Sequence, residues 1–494
     1  MKFMRKVPPF FIAALLICNF PAFSQQFQVS YPSAVYNQSF SGKVILYLNK
    51  ENKNPKDGAV TLEAFPCFAT EVKALSPGAT VTIDDRAKAF PAKLSDIERG
   101  EYYVQAVFDR NLGGRAIAQS PGNIYSLPVK VTLTKDTSLK FTLRCDQVIP
   151  EPTFKETGFV KELRAPSALL SAFHKKPMTV DAAVILPKEY FSQPQRKFPV
   201  VYLVSGYGGD YHNFSGDTVT RSRAVDTIPC ITVYLDGNCS GGHSVYANSA
   251  NNGPWGDALT KELIPLVESK YRCDGVRLLR GHSSGGWTVL WLQTHYPATF
   301  AGCWSSSPDP VDFRNFQKIN LYEDKNMYYG KDSVLQLVAT IAGFFPVAST
   351  KQACRQEYVV YRGEQMHSFD EVFSDRGADG EPVRICDPVT GEINKACVER
   401  WKQYDISLYL RSNWPSLQKD LDGKIRVSVG EDDNFLLNYA VHLLDDEIKK
   451  LNTNFVFSYY PGDHFTVSTP EYRSDGMKFL AGRYAEWKKK MAAK

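Results

Sequence analysis

The chain has 494 residues, of which 43% are hydrophobic and 22% are charged. This composition excludes a disordered, collagen-like or disulfide-scaffold protein, and the length suffices for two or more domains or for one large domain with insertions. The 58 basic and 53 acidic residues leave a net charge of +5. A charge so small and so dispersed does not indicate a nucleic-acid partner.

The N-terminal segment is organised like a secretory signal peptide. Basic residues at positions 2, 5 and 6 precede an apolar run from Phe10 to Phe20, and Ala22-Phe23-Ser24 offers small residues before a cleavage point at Gln25. The run is too short for a transmembrane helix, which needs about 20 residues. We therefore expect residues 1–24 to be removed and the protein to be periplasmic or extracellular, without a transmembrane segment. A lipid anchor on Cys18 is the alternative.

Residues 27–150 are predicted to form an all-β sandwich of immunoglobulin-like type. Short runs of alternating polarity are separated there by Gly, Pro, Asn and Asp. The predicted strands are Lys43–Leu48, Ala59–Ala64, Thr80–Ile83, Tyr102–Phe108, Pro128–Leu133 and Leu139–Leu143. Because this region contains no histidine and no evident catalytic constellation, we expect it to be a spacer or a binding module.

Residues 151–494 have the pattern of an α/β domain, with continuous apolar strands alternating with amphipathic helices such as Asp257–Tyr271. The predicted strands are Val180–Leu186, Pro199–Val204, Cys230–Leu235, Val276–Leu279, Phe300–Trp304, Ile425–Val429 and Asn454–Tyr459. Such strands indicate a mostly parallel sheet covered by helices on both faces. The stretch of about 312–420 interrupts the alternation and is too long for an ordinary connection, so we expect an inserted lid or cap.

Export would permit disulfides, but the cysteines do not define a framework. Nine follow the predicted signal peptide, an odd number, and their spacing shows no zinc pattern. The spacing allows a pair between Cys67 and Cys145 and another between Cys386 and Cys397.

The sequence Gly281-His282-Ser283-Ser284-Gly285 follows a predicted strand and precedes a predicted helix. This is the GxSxG motif in the strand-turn-helix context of a nucleophile elbow. The two glycines relieve crowding where the backbone passes close to itself. Ser283 is therefore the predicted nucleophile.

A serine hydroxyl needs a base that accepts its proton and a carboxylate that orients the base. His464 is the predicted base because it directly follows the last strand, at the carboxyl end where open α/β sheets bind ligands. His282 lies within the elbow, and His295 and His442 lie on predicted helices. These three are expected to pack or to face solvent.

The acid is expected after the strand that precedes the histidine loop, where three carboxylates follow Gly430. Asp433 is the preferred candidate, since the turn needs several residues to reach the histidine, and Asp432 is its main rival. Asp309 and Asp312, which follow the strand at Phe300, are further candidates. The order serine, aspartate, histidine is that of α/β-hydrolases.

Two backbone donors are needed to bind the tetrahedral oxyanion. The N–H of Ser284 is one predicted donor, because it follows the nucleophile at a helix N-terminus. The N–H of Tyr207 is the other, in the glycine-rich loop SGYGG after the strand Pro199–Val204. This chemistry requires no metal and no cofactor.

Four segments together resemble the putative esterase family of α/β-hydrolases: YLVSGYGGDYHNF at 202–214, GHSSGG at 281–286, GEDDNFL at 430–436 and GDH at 462–464. That family includes S-formylglutathione hydrolases and feruloyl and acetylxylan esterases. The resemblance covers about 178–487 without the insertion, and it implies Ser283, Asp433 and His464 as the catalytic triad. The N-terminal β region and the insertion depart from the family pattern.

The resulting hypothesis is a secreted serine esterase that hydrolyses small-molecule or glycan esters, for example acetyl or feruloyl esters on carbohydrate. A secreted peptidase of the prolyl-peptidase type is an alternative, although residues 27–150 are too short for the propeller that such enzymes usually carry. A binding protein that has lost the chemistry is a second alternative. The oligomeric state is not indicated.

Overall fold

The computed structural model describes residues 25–134, 139–218 and 224–493. The predicted signal peptide and Cys18 lie outside these ranges. Within them, no helix combines the length and the apolar character that crossing a membrane requires.

In residues 25–134 and 139–150, the N-terminal β region has ten strands in two sheets. The smaller sheet has the order Thr80–Ile83, Gln26–Ser30, Lys140–Arg144. The larger sheet contains Phe40–Asn49, Cys67–Leu75, Lys88–Phe90, Gly100–Asp109, Ile124–Tyr125, Val129–Leu133 and Gln147–Val148. An apolar core that includes Phe27, Leu46 and Phe108 lies between the two sheets. The predicted all-β sandwich is therefore confirmed.

The predicted strand Ala59–Ala64 is wrong, because this segment forms a turn. The N–H groups of Leu62 and Glu63 both donate to the carbonyl of Ala59, at 3.2 and 2.8 Å, rather than to a neighbouring strand. Thr61 at the centre of the turn has φ = 80° and is buried. The alternating polarity of this segment therefore belongs to a turn, and the turn contacts Glu357 much later in the chain.

The strand Phe40–Asn49 is buried on both faces. Val44, Leu46 and Leu48 face the core of the sandwich. On the other face, Ile45 and Tyr47 pack in a second apolar cluster with Val359 and Val360, which end the helix Thr350–Val360. The larger sheet therefore packs between the smaller sheet and a helix of the predicted insertion.

The sheet of the α/β domain has eight strands within the described residues and is mostly parallel. The strand Thr179–Ile185 pairs antiparallel with both of its neighbours, Val160–Pro166 and Ile231–Leu235. The remaining pairs of the sheet are parallel. The order is Val160–Pro166, Thr179–Ile185, Ile231–Leu235, Phe198–Val204, Cys273–His282, Gly302–Ser306, Ile425–Gly430, Val456–Tyr460. All seven predicted strands occur, with shifted ends. The edge strand Val160–Pro166 was not predicted, because its sequence VKELRAP has no continuous apolar run.

Helices cover this sheet and also form much of the predicted insertion. Those associated with the sheet are Ala168–His174, Glu189–Ser192, Trp255–Ala258, Ile264–Lys270, Ser284–His295, Ile406–Leu421, Asn438–Lys449 and Pro470–Ala492. A π-helical segment, Leu259–Leu263, joins Trp255–Ala258 to Ile264–Lys270. We call Leu337–Trp401 the lid. It contains the hairpin Leu337–Ile341 and Phe345–Ser349 and the helices Thr350–Val360, Gln365–Phe373 and Lys395–Trp401. Helix Ile406–Leu421 packs against Ser284–His295 and Asn438–Lys449, so this last part of the 312–420 stretch is a layer of the sheet domain.

The lid is tied to the N-terminal β region by a buried ion pair. The Arg362 guanidinium donates to both carboxylate oxygens of Asp109, at 2.6 and 3.0 Å. Both side chains are less than a tenth exposed. Such a pair needs close geometry, because its charges have lost their hydration. The lid and the N-terminal β region are therefore held in a defined position relative to each other.

The cysteines at positions 67 to 397 are all free thiols. The suggested pair of Cys67 and Cys145 does not form, because the two lie in apolar clusters on opposite faces of the larger sheet. The suggested pair of Cys386 and Cys397 does not form either, and the Cys397 thiol lies 3.2 Å from the hydroxyl of Ser374.

Candidate active site

The strand Cys273–His282 ends in a sharp turn at Ser283, and the helix Ser284–His295 begins directly after it. Ser283 has φ = 59° and ψ = −124°, a conformation that a non-glycine residue rarely adopts. A Cβ at Gly281 would collide with the backbone of Gly285, and one at Gly285 with the backbone of Val204. The two glycines of the motif are therefore required by the closeness of three backbone segments.

His464 and Asp433 form a buried pair. The Nδ1 atom of His464 lies 2.7 Å from Oδ2 of Asp433, and the two side chains are 3% and 0% exposed. The backbone N–H of Phe435 donates to the other carboxylate oxygen at 2.9 Å, and the Asn434 side chain accepts the backbone N–H of His464 at 3.1 Å. The carboxylate thus fixes the proton of the imidazole on Nδ1 and leaves Nε2 as the acceptor.

The other acidic candidates lie elsewhere. Asp432 is exposed on the surface. The carboxylate of Asp312 is bound by the guanidinium of Arg314, at 2.5 and 2.9 Å. Asp309 lies beside the elbow, where it accepts a hydrogen bond from the hydroxyl of Ser284 at 2.6 Å. Of the four carboxylates, Asp433 is the one hydrogen-bonded to the His464 ring.

The remaining histidines of the sequence analysis make packing contacts. His282 bonds to the Ser306 hydroxyl at 2.8 Å, and burial lowers the pKa of its imidazole to about 4. His295 stacks on Trp291, and burial lowers its pKa to about 4 as well. His442 stacks on a tyrosine near the surface. None of these three is bonded to Asp433 within the described ranges.

Ser283 and His464 line one cavity of about 370 Å³. Its other lining residues are Val60, Thr61, Leu62, Gly206, Tyr207, His282, Asp309, Pro310, Gln317, Val338, Gln365, Phe369, Phe435, Leu437 and Phe465. A Cβ at Gly206 would lie 3.1 Å from that of Ser283, so the glycine-rich loop passes directly beside the elbow. Ser284 opens the helix, where N–H groups of the first turn have no intrahelical acceptor. The two backbone segments that carry the predicted donors therefore both lie next to Ser283.

Asp309 is a buried carboxyl beside the predicted nucleophile, a position that the sequence did not assign to it. Burial raises the pKa of Asp309 to about 6, although hydrogen bonds from Ser284 and Ser283 and the nearby His464 oppose the shift. The Gln365 amide of the lid lies 3.4 Å from its carboxylate. The only sequence signal was its place at the carboxyl end of the neighbouring strand.

The N-terminal β region also reaches the site, which the sequence analysis missed. Residues 60–62 line the cavity. Arg115 donates to the phenol oxygen of Tyr207 at 2.7 Å, and its guanidinium lies 4.6 Å from the centre of that ring. The phenol itself donates to the carbonyl of Gly363 in the lid. No local pattern predicts contacts between residues so far apart in sequence.

A model of the family described as putative esterase matches residues 172–465, more than half of the chain. The chain belongs to the putative esterase family. It is a carboxylic ester hydrolase with the α/β-hydrolase fold, as the motifs predicted. No curated protein matches its sequence.

Several solved structures are similar to the esterase. FphF, a fluorophosphonate-binding serine hydrolase of Staphylococcus aureus, is 14% identical with a TM-score of 0.40, over 66% of this chain and 99% of that one. An S-formylglutathione hydrolase from Agrobacterium tumefaciens is 15% identical with a TM-score of 0.38, over 67% and 98%. A ferulic acid esterase is 14% identical with a TM-score of 0.37, also over 67% and 98%.

The raised pKa of Asp309 predicts a pH-dependent contribution to stability. An unfolded aspartate ionises near pH 3.8, whereas the folded carboxyl holds its proton to about pH 6. This group therefore stabilises the fold most below pH 4 and loses that contribution as the pH rises through 6. Relative to wild type, Asp309→Asn should gain up to about 3 kcal/mol of unfolding free energy between pH 4 and pH 7. Urea unfolding at a series of pH values measures the difference.

The matched control is Asp432→Asn, which changes an exposed carboxyl of the same rim. It removes one carboxylate charge from the surface and therefore reports how much of any difference comes from the change in net charge alone. Loss of the hydrogen bond from Ser284 lowers the unfolding free energy of Asp309→Asn by the same amount at every pH. The test is therefore how the difference in unfolding free energy between variant and wild type changes with pH. A flat Asp309→Asn difference would contradict the assignment.

Proposed function

We propose that this esterase is a serine esterase in which Ser283 is the nucleophile, His464 the general base and Asp433 the acid that orients it. The observation that carries the proposal is that His464, which is joined to Asp433 at 2.7 Å, lines the same cavity as Ser283 at the elbow. The Asp433 carboxylate is fully buried, and a buried charge needs a polar partner, which the His464 ring provides beside the cavity.

The reaction follows from the arrangement. As Ser283 Oγ attacks the ester carbonyl carbon, Nε2 of His464 takes the hydroxyl proton, and the Asp433 carboxylate stabilises the resulting imidazolium. The carbonyl oxygen becomes an oxyanion, bound by the N–H groups of Tyr207 and Ser284 and favoured by the dipole of the elbow helix.

Collapse of the tetrahedral intermediate breaks the bond to the alcohol oxygen, which receives the proton from His464. Ser283 then carries the acyl group as an ester. Water repeats the sequence: His464 accepts its proton, its oxygen attacks the acyl carbon, and the acid leaves as Ser283 regains its proton.

For the substrate we propose small-molecule or glycan esters, with acetyl and feruloyl esters of carbohydrate as the class to test. The cavity of about 370 Å³ lies within the range of small-molecule sites. Its lining is mostly apolar, and Thr61, Gln317, Gln365 and Asp309 add a few polar groups. Such a lining suits an uncharged ester with some hydroxyl or amide functions.

Ser283→Ala should reduce kcat/KM by about 10³-fold or more, because the acyl-enzyme cannot form. The measurement uses 4-nitrophenyl acetate and a panel of acetylated and feruloylated oligosaccharides, with peptide amides as the test for a peptidase. A fluorophosphonate probe should label wild type and not the variant. Full activity of Ser283→Ala would overturn the proposal, and a wild type that neither labels nor hydrolyses would indicate a binding protein.

Asp433→Asn and Asp432→Asn form a matched pair for the acid. The first leaves the imidazole without its orienting carboxylate and should lower kcat by about 10³- to 10⁴-fold. The second changes an exposed neighbour and should alter kcat by less than about threefold. Steady-state kinetics on one ester compares them, and equal losses in the two variants would contradict the role of Asp433.

We also propose that the esterase is exported, on the basis of the basic and apolar segments at its N-terminus. The protein recovered from the periplasm or the medium should begin at Gln25. N-terminal sequencing and intact mass check this. A chain that keeps Met1 and stays in the cytoplasm would contradict it, and a mass increased by a diacylglyceryl group on Cys18 would favour the lipid anchor.

A further inference from the structure

The turn Val60–Leu62 is the segment of the N-terminal β region that lines the cavity of the site. Val338 of the lid hairpin and Phe465 of the histidine loop belong to the same lining. The cavity is thus enclosed by three parts of the chain that are remote in sequence. A group that fills this cavity contacts the N-terminal turn as well as the sheet domain.

The turn is held in an unusual backbone conformation. Thr61 has φ = 80°, which is rare for a side chain branched at Cβ and is maintained only where the surroundings impose it. Its hydroxyl donates to the buried carboxyl of Glu357 in the lid helix. Glu357 in turn accepts the backbone N–H of His367 at 2.8 Å. The lid therefore holds the turn in this conformation at the wall of the cavity.

Two further contacts fix the N-terminal β region against the catalytic loops. The Arg115 side chain bonds the phenol of Tyr207, whose backbone N–H is a proposed oxyanion donor. The buried pair of Arg362 and Asp109 joins the lid to the same region. Both hydrogen-bonded contacts are short and largely shielded from water. They therefore hold the N-terminal turn at a fixed distance from the elbow.

The chemistry of this wall is apolar. Val60 and Leu62 lie on the N-terminal side of the cavity, and Phe369 and Phe435 contribute elsewhere to its lining. Leu62 lines the cavity and is 38% exposed, so part of its apolar surface is open to a bound group. An apolar group of the substrate would cover this surface and gain free energy from the loss of water.

We propose that the turn Val60–Leu62 determines substrate specificity by receiving an apolar group of the ester that is larger than a methyl group. This inference rests on the proposed function, because it assumes that Ser283 attacks the ester in this cavity. It gives the N-terminal β region a direct part in substrate selection. The apolar group is the acyl chain or the alcohol chain, and the test has one arm for each.

The experiment varies Leu62 in the full-length chain. The substrates are 4-nitrophenyl esters from acetate to octanoate and alkyl acetates from methyl to octyl. Leu62→Trp narrows the cavity and should lower the hexanoate-to-acetate or the hexyl-to-methyl ratio of kcat/KM at least tenfold. Leu62→Ala widens it and should raise the octanoate-to-hexanoate or the octyl-to-hexyl ratio at least threefold. The change should appear mainly in KM.

Leu127→Trp and Leu127→Ala are the matched controls, because Leu127 is a 59% exposed leucine of the same region and does not line the cavity. Both should keep all ratios within twofold of wild type. Fluorophosphonate labelling of Ser283 and the thermal midpoint show that each variant is folded and keeps its nucleophile. If Leu62→Trp does not fold, the Leu62→Ala ratios decide alone.

The two proposals fail in different ways. Ratios in both series that stay within twofold of wild type, in folded Leu62 variants that label normally, would overturn the role of the turn and leave the triad untouched. Activity that survives Ser283→Ala would overturn the proposed mechanism, and with it the assumption on which the specificity proposal depends.

Discussion

The close packing of backbone at the elbow is the constraint on which the site depends. The chain must turn within one residue from the strand Cys273–His282 into the helix Ser284–His295, while Val204 of the adjacent strand passes against it. Only glycine fits at 281 and 285, and Ser283 must adopt φ = 59°. This geometry places the Ser283 hydroxyl at the carboxyl end of the strand and at the N-terminus of the helix, next to the loop that carries Tyr207.

The parallel arrangement of the sheet supplies the rest. The strands Ile425–Gly430 and Val456–Tyr460 are neighbours on the same side of the elbow strand, so the loops at their carboxyl ends meet, and Asp433 reaches His464. The lid reinforces this meeting. Thr340 of the lid hairpin exchanges hydrogen bonds with Asn434, at 2.7 and 3.0 Å, and Asn434 also holds the backbone of His464. A displaced lid would therefore disturb the histidine as well as the cavity wall.

The fold was largely predictable because its main patterns are local. Apolar runs identified seven of the eight sheet strands, and the missing one is the polar edge strand. The strand with Val44-Ile45-Leu46-Tyr47-Leu48 contains a continuous apolar run, which indicates burial on both faces. Its second cover, the helix Thr350–Val360, lies about 300 residues further along the chain, and the sequence carries no signal that would join the two. Ala59–Ala64 was predicted as a strand from its alternating polarity. The contact between Thr61 and Glu357, which holds this segment as a turn, is equally remote in sequence and has no local signal.

By itself, the sequence determined the elbow, the order of the candidate triad and the class of fold, because each depends on residue types at short spacing or on the periodicity of a single element. The sequence preferred Asp433 to Asp432, and the tertiary structure shows that Asp433 is the one bonded to His464. Tertiary structure alone decided that Asp309 is buried beside the elbow and that Thr61, Leu62 and Arg115 belong to the site. These outcomes depend on which distant surfaces pack together and exclude water. That packing is a property of the whole chain, and no short segment encodes it.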